Sequence, residues 1–188
     1  MARRPRLLVP GIYHLTAHGS DNRYLFLGDG DRKDFLARLS AICERFELAL
    51  LSYVLMGSHY HALLRIADAR LSKALQWLHT EYSRFQNRLH GRSAHLFRAH
   101  PDTREITSDA HLISAARYLA RNPVEAGTVA DPLDWPWSSA RAHAGLERPY
   151  IPIAEDDLRA AFGDRDDWRR EYVVQVRTAD EDAMPEAA

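Results

Sequence analysis

The chain has 188 residues, 46% hydrophobic and 27% charged, a profile that excludes an intrinsically disordered chain and a membrane-embedded one. Its one cysteine, Cys43, excludes an internal disulfide framework and a cysteine-built zinc site. The net charge of −1 hides an uneven spread: residues 1–150 carry 20 Lys and Arg against 15 Asp and Glu, residues 151–188 carry 5 against 11.

The apolar "LLVPG" after "MARRPR" is far too short for a signal-peptide core, so a reducing, cytoplasmic home is the expectation. Residues 11–19, "GIYHLTAHG", alternate apolar and polar side chains and end in a turn signal, which reads as a strand. After the turn-rich "GDGD", Phe35, Leu36, Leu39, Ile42, Cys43 and Phe46 recur at helical spacing. Two strands follow, 48–57 and 59–66, antiparallel across a turn at Gly57-Ser58. Leu71, Leu75, Leu78, Tyr82, Phe85 and Leu89 then form one helical stripe that stops at Gly91.

The segment 92–106 is irregular with a short strand. A helix opens at Ser108 as N-cap, and Pro123 limits its length. "DWPWSSARAHAG" suggests a short packed helix in which Trp135 and Trp137 serve packing. Residues 155–177 have helical character, and 178–188 read as disordered. The order predicts an α+β domain, ferredoxin-like or RRM-like, with an antiparallel sheet and helices packed on one face, leaving the other open for function. That domain is expected over 1–150, with 151–188 an acidic, partly helical extension.

Two histidines stand one residue apart in "HYHALLRI". On a strand His59 and His61 share a face, as half of a metal site or as two polar residues on a wet sheet. The helix after Ser108 offers a partner. Its apolar stripe runs through Leu112, Ala115, Ala116 and Leu119, while Ser114, Tyr118 and Asn122 line up at i, i+4, i+8 off that stripe. Asn122 has a second reading, because "NPVE" is also a good helix start with Asn as N-cap.

"GSHYHALL" followed by "YLARNPVEAGTVADPLDWPWSS" resembles the HUH-type single-tyrosine transposases, in particular their REP-associated branch, over roughly residues 10–145. The resemblance implies that His59, His61 and Asn122 hold a divalent ion, magnesium or manganese, and that Tyr118 is the nucleophile. It implies single-stranded or hairpin DNA as partner, nicked and rejoined through a 5′-phosphotyrosine. Gly57-Ser58 stands where that family commonly has Pro-Asn, and Ala94 and "RAHPDTRE" replace a glycine and a basic-aromatic stretch. Arg117 and Arg121 flank Tyr118, and Arg3, Arg4 and Arg6 form a basic arm; all five are candidate DNA contacts. Two rivals stay open: a non-catalytic DNA- or RNA-binding module of the same fold, and a small phosphoester hydrolase. The sequence leaves monomer and homodimer equally open.

Overall fold

Alternating and helical hydrophobic periods translate into elements closely matching that reading. The computed structural model describes residues 9–178 except 92, 94 and 99. Arg3, Arg4, Arg6, Ala94 and the C-terminal end from 179 lie outside the described residues. β1 (Gly11–His18), α1 (Asp29–Phe46), β2 (Ala49–Leu55), β3 (His59–Ile66), α2 (Leu71–Leu89) and β4 (Asp102–Ile106) form the sheet and its first helical layer. α3 (Asp109–Glu125), α4 (Ala140–His143), α5 (Asp156–Ala161) and α6 (Trp168–Arg177) follow. The sheet is antiparallel in the order β2-β3-β1-β4, the ferredoxin-like arrangement. No helix among the described residues is long and apolar enough to cross a membrane.

Strand alternation sorts the side chains. Tyr13, Leu15 and Ala17 of β1 and Tyr60, Ala62, Leu64 and Ile66 of β3 enter a core with α1 and α2. The opposite parity carries Leu51, Val54 and Leu63 into a second core. That second face is not left open as the sequence suggests. A sheet with Leu51, Val54 and Leu63 on its outer side would expose apolar surface, so α3 lies over it with Leu112, Ala115, Ala116 and Leu119. Leu158 of α5, Phe162 just after it, and Trp168, Tyr172 and Val176 of α6 pack into the same cluster.

The β2 edge is closed by main-chain hydrogen bonds, Leu55 N–H to Trp137 O and Ser139 N–H to Tyr53 O, which leaves β4 as the outer strand on the other side. Trp137 is buried and the Trp135 indole donates to the Leu55 carbonyl at 3.1 Å, so both tryptophans pack. The β2–β3 turn is clamped from outside: Leu25 N–H and Phe26 N–H both donate to Gly57 O, and Gly19 N–H to Ser58 O. A Cβ at Gly57 would lie 2.7 Å from the ring of the exposed Tyr24, so a larger residue there would have to push that ring aside.

At α3 the Ser108 hydroxyl accepts from His111 N–H at 3.2 Å, the expected cap. The helix then continues through Pro123 to Glu125 instead of stopping before it. Ala126 N–H still bonds Asn122 O and Gly127 N–H bonds Val124 O, so the proline interrupts only the last turn. Asn122 is therefore inside the helix, and its side chain is not an N-cap.

Candidate active site

The register of the central strand pair assembles the site. Thr16 lies opposite His61 and His18 opposite His59, and cross-strand partners share a face. His14, Thr16, His18, His59 and His61 thus stand together on the α3 side. The rings form a ladder: His18 stacks on His59 at 5.1 Å between centroids, His59 meets His61 edge-on at 5.1 Å, and His61 is 5.2 Å from His14.

α3 crosses above this ladder, and the i, i+4 spacing puts Tyr118 and Asn122 on its underside. The Tyr118 ring is edge-on to His61 at 5.3 Å and to His14 at 5.8 Å. Asn122 Oδ1 faces His59 Nε2 at 3.2 Å. The four residues singled out in the sequence, His59, His61, Tyr118 and Asn122, therefore converge although up to 63 positions separate them.

Each imidazole of the pair is oriented from behind. His61 Nδ1 is within hydrogen-bond distance of Thr16 Oγ1, 3.0 Å, and of His14 Nε2, 3.1 Å. His59 Nδ1 is 3.3 Å from Ser58 Oγ. Such back-side partners hold each ring in place, and a bond to a metal would be made through the Nε2 atoms that they leave over. His61 is only 3% exposed. Burial, then the neighbouring His14, His59 and His18, hold its pKa well below the ordinary value. Burial, with Arg104 and His111 adding to it, brings His14 down to about 4. Both rings are neutral near pH 7.

A divalent ion fits these residues. Two imidazole nitrogens and an amide oxygen are neutral donors, leaving the ion's charge for a phosphate to balance. The 3.2 Å between His59 Nε2 and Asn122 Oδ1 is close to the ~3 Å edge between adjacent ligands of an octahedral ion with ~2.1 Å bonds. Among the described residues no three His, Cys, Asp or Glu side chains form a metal-holding group, so such an ion would lean on Asn122 and on substrate.

Arg117 and Arg121 are used differently from the expectation. Arg117 Nη2 donates to Thr178 O at 2.7 Å and Arg121 Nη1 to Val176 O at 3.1 Å, so both guanidiniums are turned onto the end of α6. The sequence reading left out His14, Thr16 and His18. Their signal is the i, i+2, i+4 alternation of "HLTAH", which places three polar side chains on one strand face.

Comparison with known proteins supports the transposase resemblance read from the sequence. The family model described as "Transposase IS200 like" matches residues 11–112, more than half of the chain. The protein is a member of that IS200-like transposase family. The match stops before Tyr118 and Asn122. A solved structure, described as a "REP associates tyrosine transposase bound to a REP hairpin", superposes with a TM-score of 0.66 over 82% of this chain and 92% of that one, at 15% identity. The shared fold is therefore carried by very different side chains. None of the curated proteins matches.

Proposed function

We propose that this transposase nicks and rejoins single-stranded DNA with Tyr118 as nucleophile. The observation that carries the reading is the edge-on approach of the Tyr118 ring to His61, 5.3 Å away, with Asn122 beside His59. The phenol oxygen attacks phosphorus, a new P–O bond to Tyr118 forms, and the bond to the 3′ oxygen breaks. The phenol proton passes to water and the departing oxygen takes one up, leaving a 5′-phosphotyrosine and a free 3′-hydroxyl. Because the tyrosine ester keeps the phosphodiester bond, attack by another 3′-hydroxyl rejoins DNA without an external energy source.

His59, His61 and Asn122 are the residues that would hold a divalent ion, magnesium or manganese, which when bound withdraws charge from the phosphate oxygens and orients the scissile group. His14 and Thr16 hold His61 in the orientation this needs. α3 sets the height of the phenol over the sheet, and its rigid helix keeps that geometry between cutting and joining. The solved relative is bound to a REP hairpin; a hairpin with single-stranded arms is the substrate we extend to this chain.

The test is incubation of wild-type protein with a DNA hairpin bearing single-stranded arms, plus manganese, followed by a denaturing gel. A covalent protein–DNA band that disappears in Tyr118→Phe, with DNA binding retained, supports the reading. Binding without any band from wild type leaves a non-catalytic DNA-binding module. DNA cleavage that persists in Tyr118→Phe identifies a hydrolase that uses water.

A further inference from the structure

The arginines next to Tyr118 in sequence are turned toward α6, which raises the question of what meets the backbone of a DNA strand lying on the site. Two other arginines occupy the right place. Arg104 of β4 is the cross-strand partner of His14, so its side chain leaves the sheet on the same face as His61 and Tyr118. It is exposed, and its charge acts on His14.

Arg98 stands at the other end of the ladder. Its N–H donates to His18 O at 2.8 Å, and the adjacent Gly19–Phe97 bridge extends the strand pairing. Phe97 turns the other way, stacking on His79 at 3.9 Å in the α1–α2 layer. Strand alternation then sends Arg98 to the site face beside His18, where it is exposed. Among the described residues neither guanidinium has a hydrogen-bond or ion-pair partner. Asp102 lies between them on the same face, opposite Thr16, while Glu105 has the opposite parity.

We infer that Arg98 and Arg104 form a phosphate rail along the outer side of the site, gripping the DNA backbone on either side of the scissile bond. The inference rests on the proposed DNA chemistry and adds the residues that seat the strand. His14 and His18, beside which the two arginines stand, are four strand positions apart, about 13 Å at 3.3 Å per residue. The spacing brackets the His61–Tyr118 pair. Arginine suits the task because its planar fork makes paired hydrogen bonds to phosphate oxygens, and β4, as the outer strand, leaves room for a chain to pass.

The experiment measures binding of a fluorescein-labelled DNA hairpin with single-stranded arms to Tyr118→Phe protein, across a range of salt. Arg98→Gln and Arg104→Gln are each expected to weaken binding several-fold and to reduce the slope of log K against log salt by about 0.7. Lysine at either position is expected to keep the slope. Arg45→Gln is the control. Arg45 sits over Phe46 and Trp77 on the far helical layer and removes the same charge. An unchanged slope in the Arg98→Gln, Arg104→Gln double variant overturns the rail, as does an equal loss in Arg45→Gln. Failure of the underlying reading looks different. A wild-type protein that shows the arginine-dependent slope but never forms a covalent band keeps the rail and loses the tyrosine chemistry.

Discussion

β3 presents two faces built from one eight-residue strand, and each sets a histidine beside a tyrosine. On the α1–α2 side, Tyr60 is fully buried and its hydroxyl lies 2.8 Å from His79 Nε2. Burial pushes the Tyr60 phenol above its usual range and the His79 imidazole down to about 4. On the α3 side the arrangement is reversed: His61 is the buried, neutral member and Tyr118 is half-buried. The ingredients are the same. What separates a packing pair from a candidate reaction centre is which partner reaches solvent: on the α1–α2 side the phenol is sealed and His79 is half-buried, whereas on the α3 side the imidazole is sealed and the Tyr118 phenol is the member left accessible.

The sharpest way to break that contrast is to remove each hydroxyl in turn. Tyr118→Phe is expected to abolish the covalent DNA band entirely while leaving the melting temperature nearly unchanged. Tyr60→Phe is expected to keep the band and to destabilise by about 0.5–1.5 kcal/mol, the net worth of the hydrogen bond that half-buried His79 loses. Denaturant unfolding and the gel, run on both proteins, read the two effects separately. A band that survives Tyr118→Phe and vanishes in Tyr60→Phe would exchange the roles of the faces.

Neighbouring residues of β1 extend the comparison. Leu15 points into the α1–α2 core and is fully buried, so Leu15→Ala is expected to cost about 2–5 kcal/mol. Thr16 points the other way and holds His61 Nδ1. Thr16→Val keeps the shape of the side chain and removes that hydrogen bond. It is expected to lower manganese-dependent adduct formation about 10- to 100-fold, with little change in stability. Titration of adduct yield against manganese concentration checks the point, and an unchanged midpoint would mean that His14 alone orients the ring.

The strand and helix order, the ferredoxin-like plan and the shared face of His59 and His61 were all legible from local periodicity. The back-side partners of His61 were not. His14 and Thr16 reach it through the β1–β3 register, which pairs residues 45 to 47 positions apart. Asn122 was ambiguous because the same "NPVE" can start a helix or, with the proline in the last turn, end one; packing of α3 on the sheet decides for the second. Arg117 and Arg121 were read by their nearness to Tyr118, yet successive helical residues turn by about 100°. Nearness in sequence therefore says little about which way a guanidinium points, and α6, its actual target, is more than 50 residues away.

Acid separates the faces less sharply. His79 is neutral in the fold down to about pH 4, whereas the unfolded chain takes up a proton near 6.5. Above 6.5 neither state is charged there, so the residue makes no difference. As pH falls from 6.5 to 4 the unfolded state alone gains the proton, and stability declines through that window. His14, with a folded value of about 4, adds to the same decline from the other face. His79→Gln is expected to flatten part of the slope of melting temperature against pH and leave the rest. A second decline follows lower down. Burial raises the Glu155 carboxyl, but hydrogen bonds and charge from His143 and Arg169 outweigh this and bring it to about 2. Stability from that carboxylate is complete above about 4.5 and is lost as pH falls toward 2.

The smallest effect concerns the helix that carries the phenol. The last carbonyls of a helix have no partner within it, and Arg117 and Arg121 supply donors to the end of α6 while placing positive charge at its negative pole. Arg121 Nε also lies 3.7 Å from the Glu125 carboxylate, beyond hydrogen-bond distance, so that pair adds little. Arg121→Ala is therefore expected to cost about 1 kcal/mol, the net worth of one hydrogen bond, seen as a small drop in denaturant midpoint. It should leave the salt dependence of DNA binding untouched, unlike Arg104→Gln. If Arg121→Ala reduced the salt slope by as much as the β4 substitution, its guanidinium would have to leave Val176 to reach the DNA, and α6 would then detach from α3 whenever substrate binds.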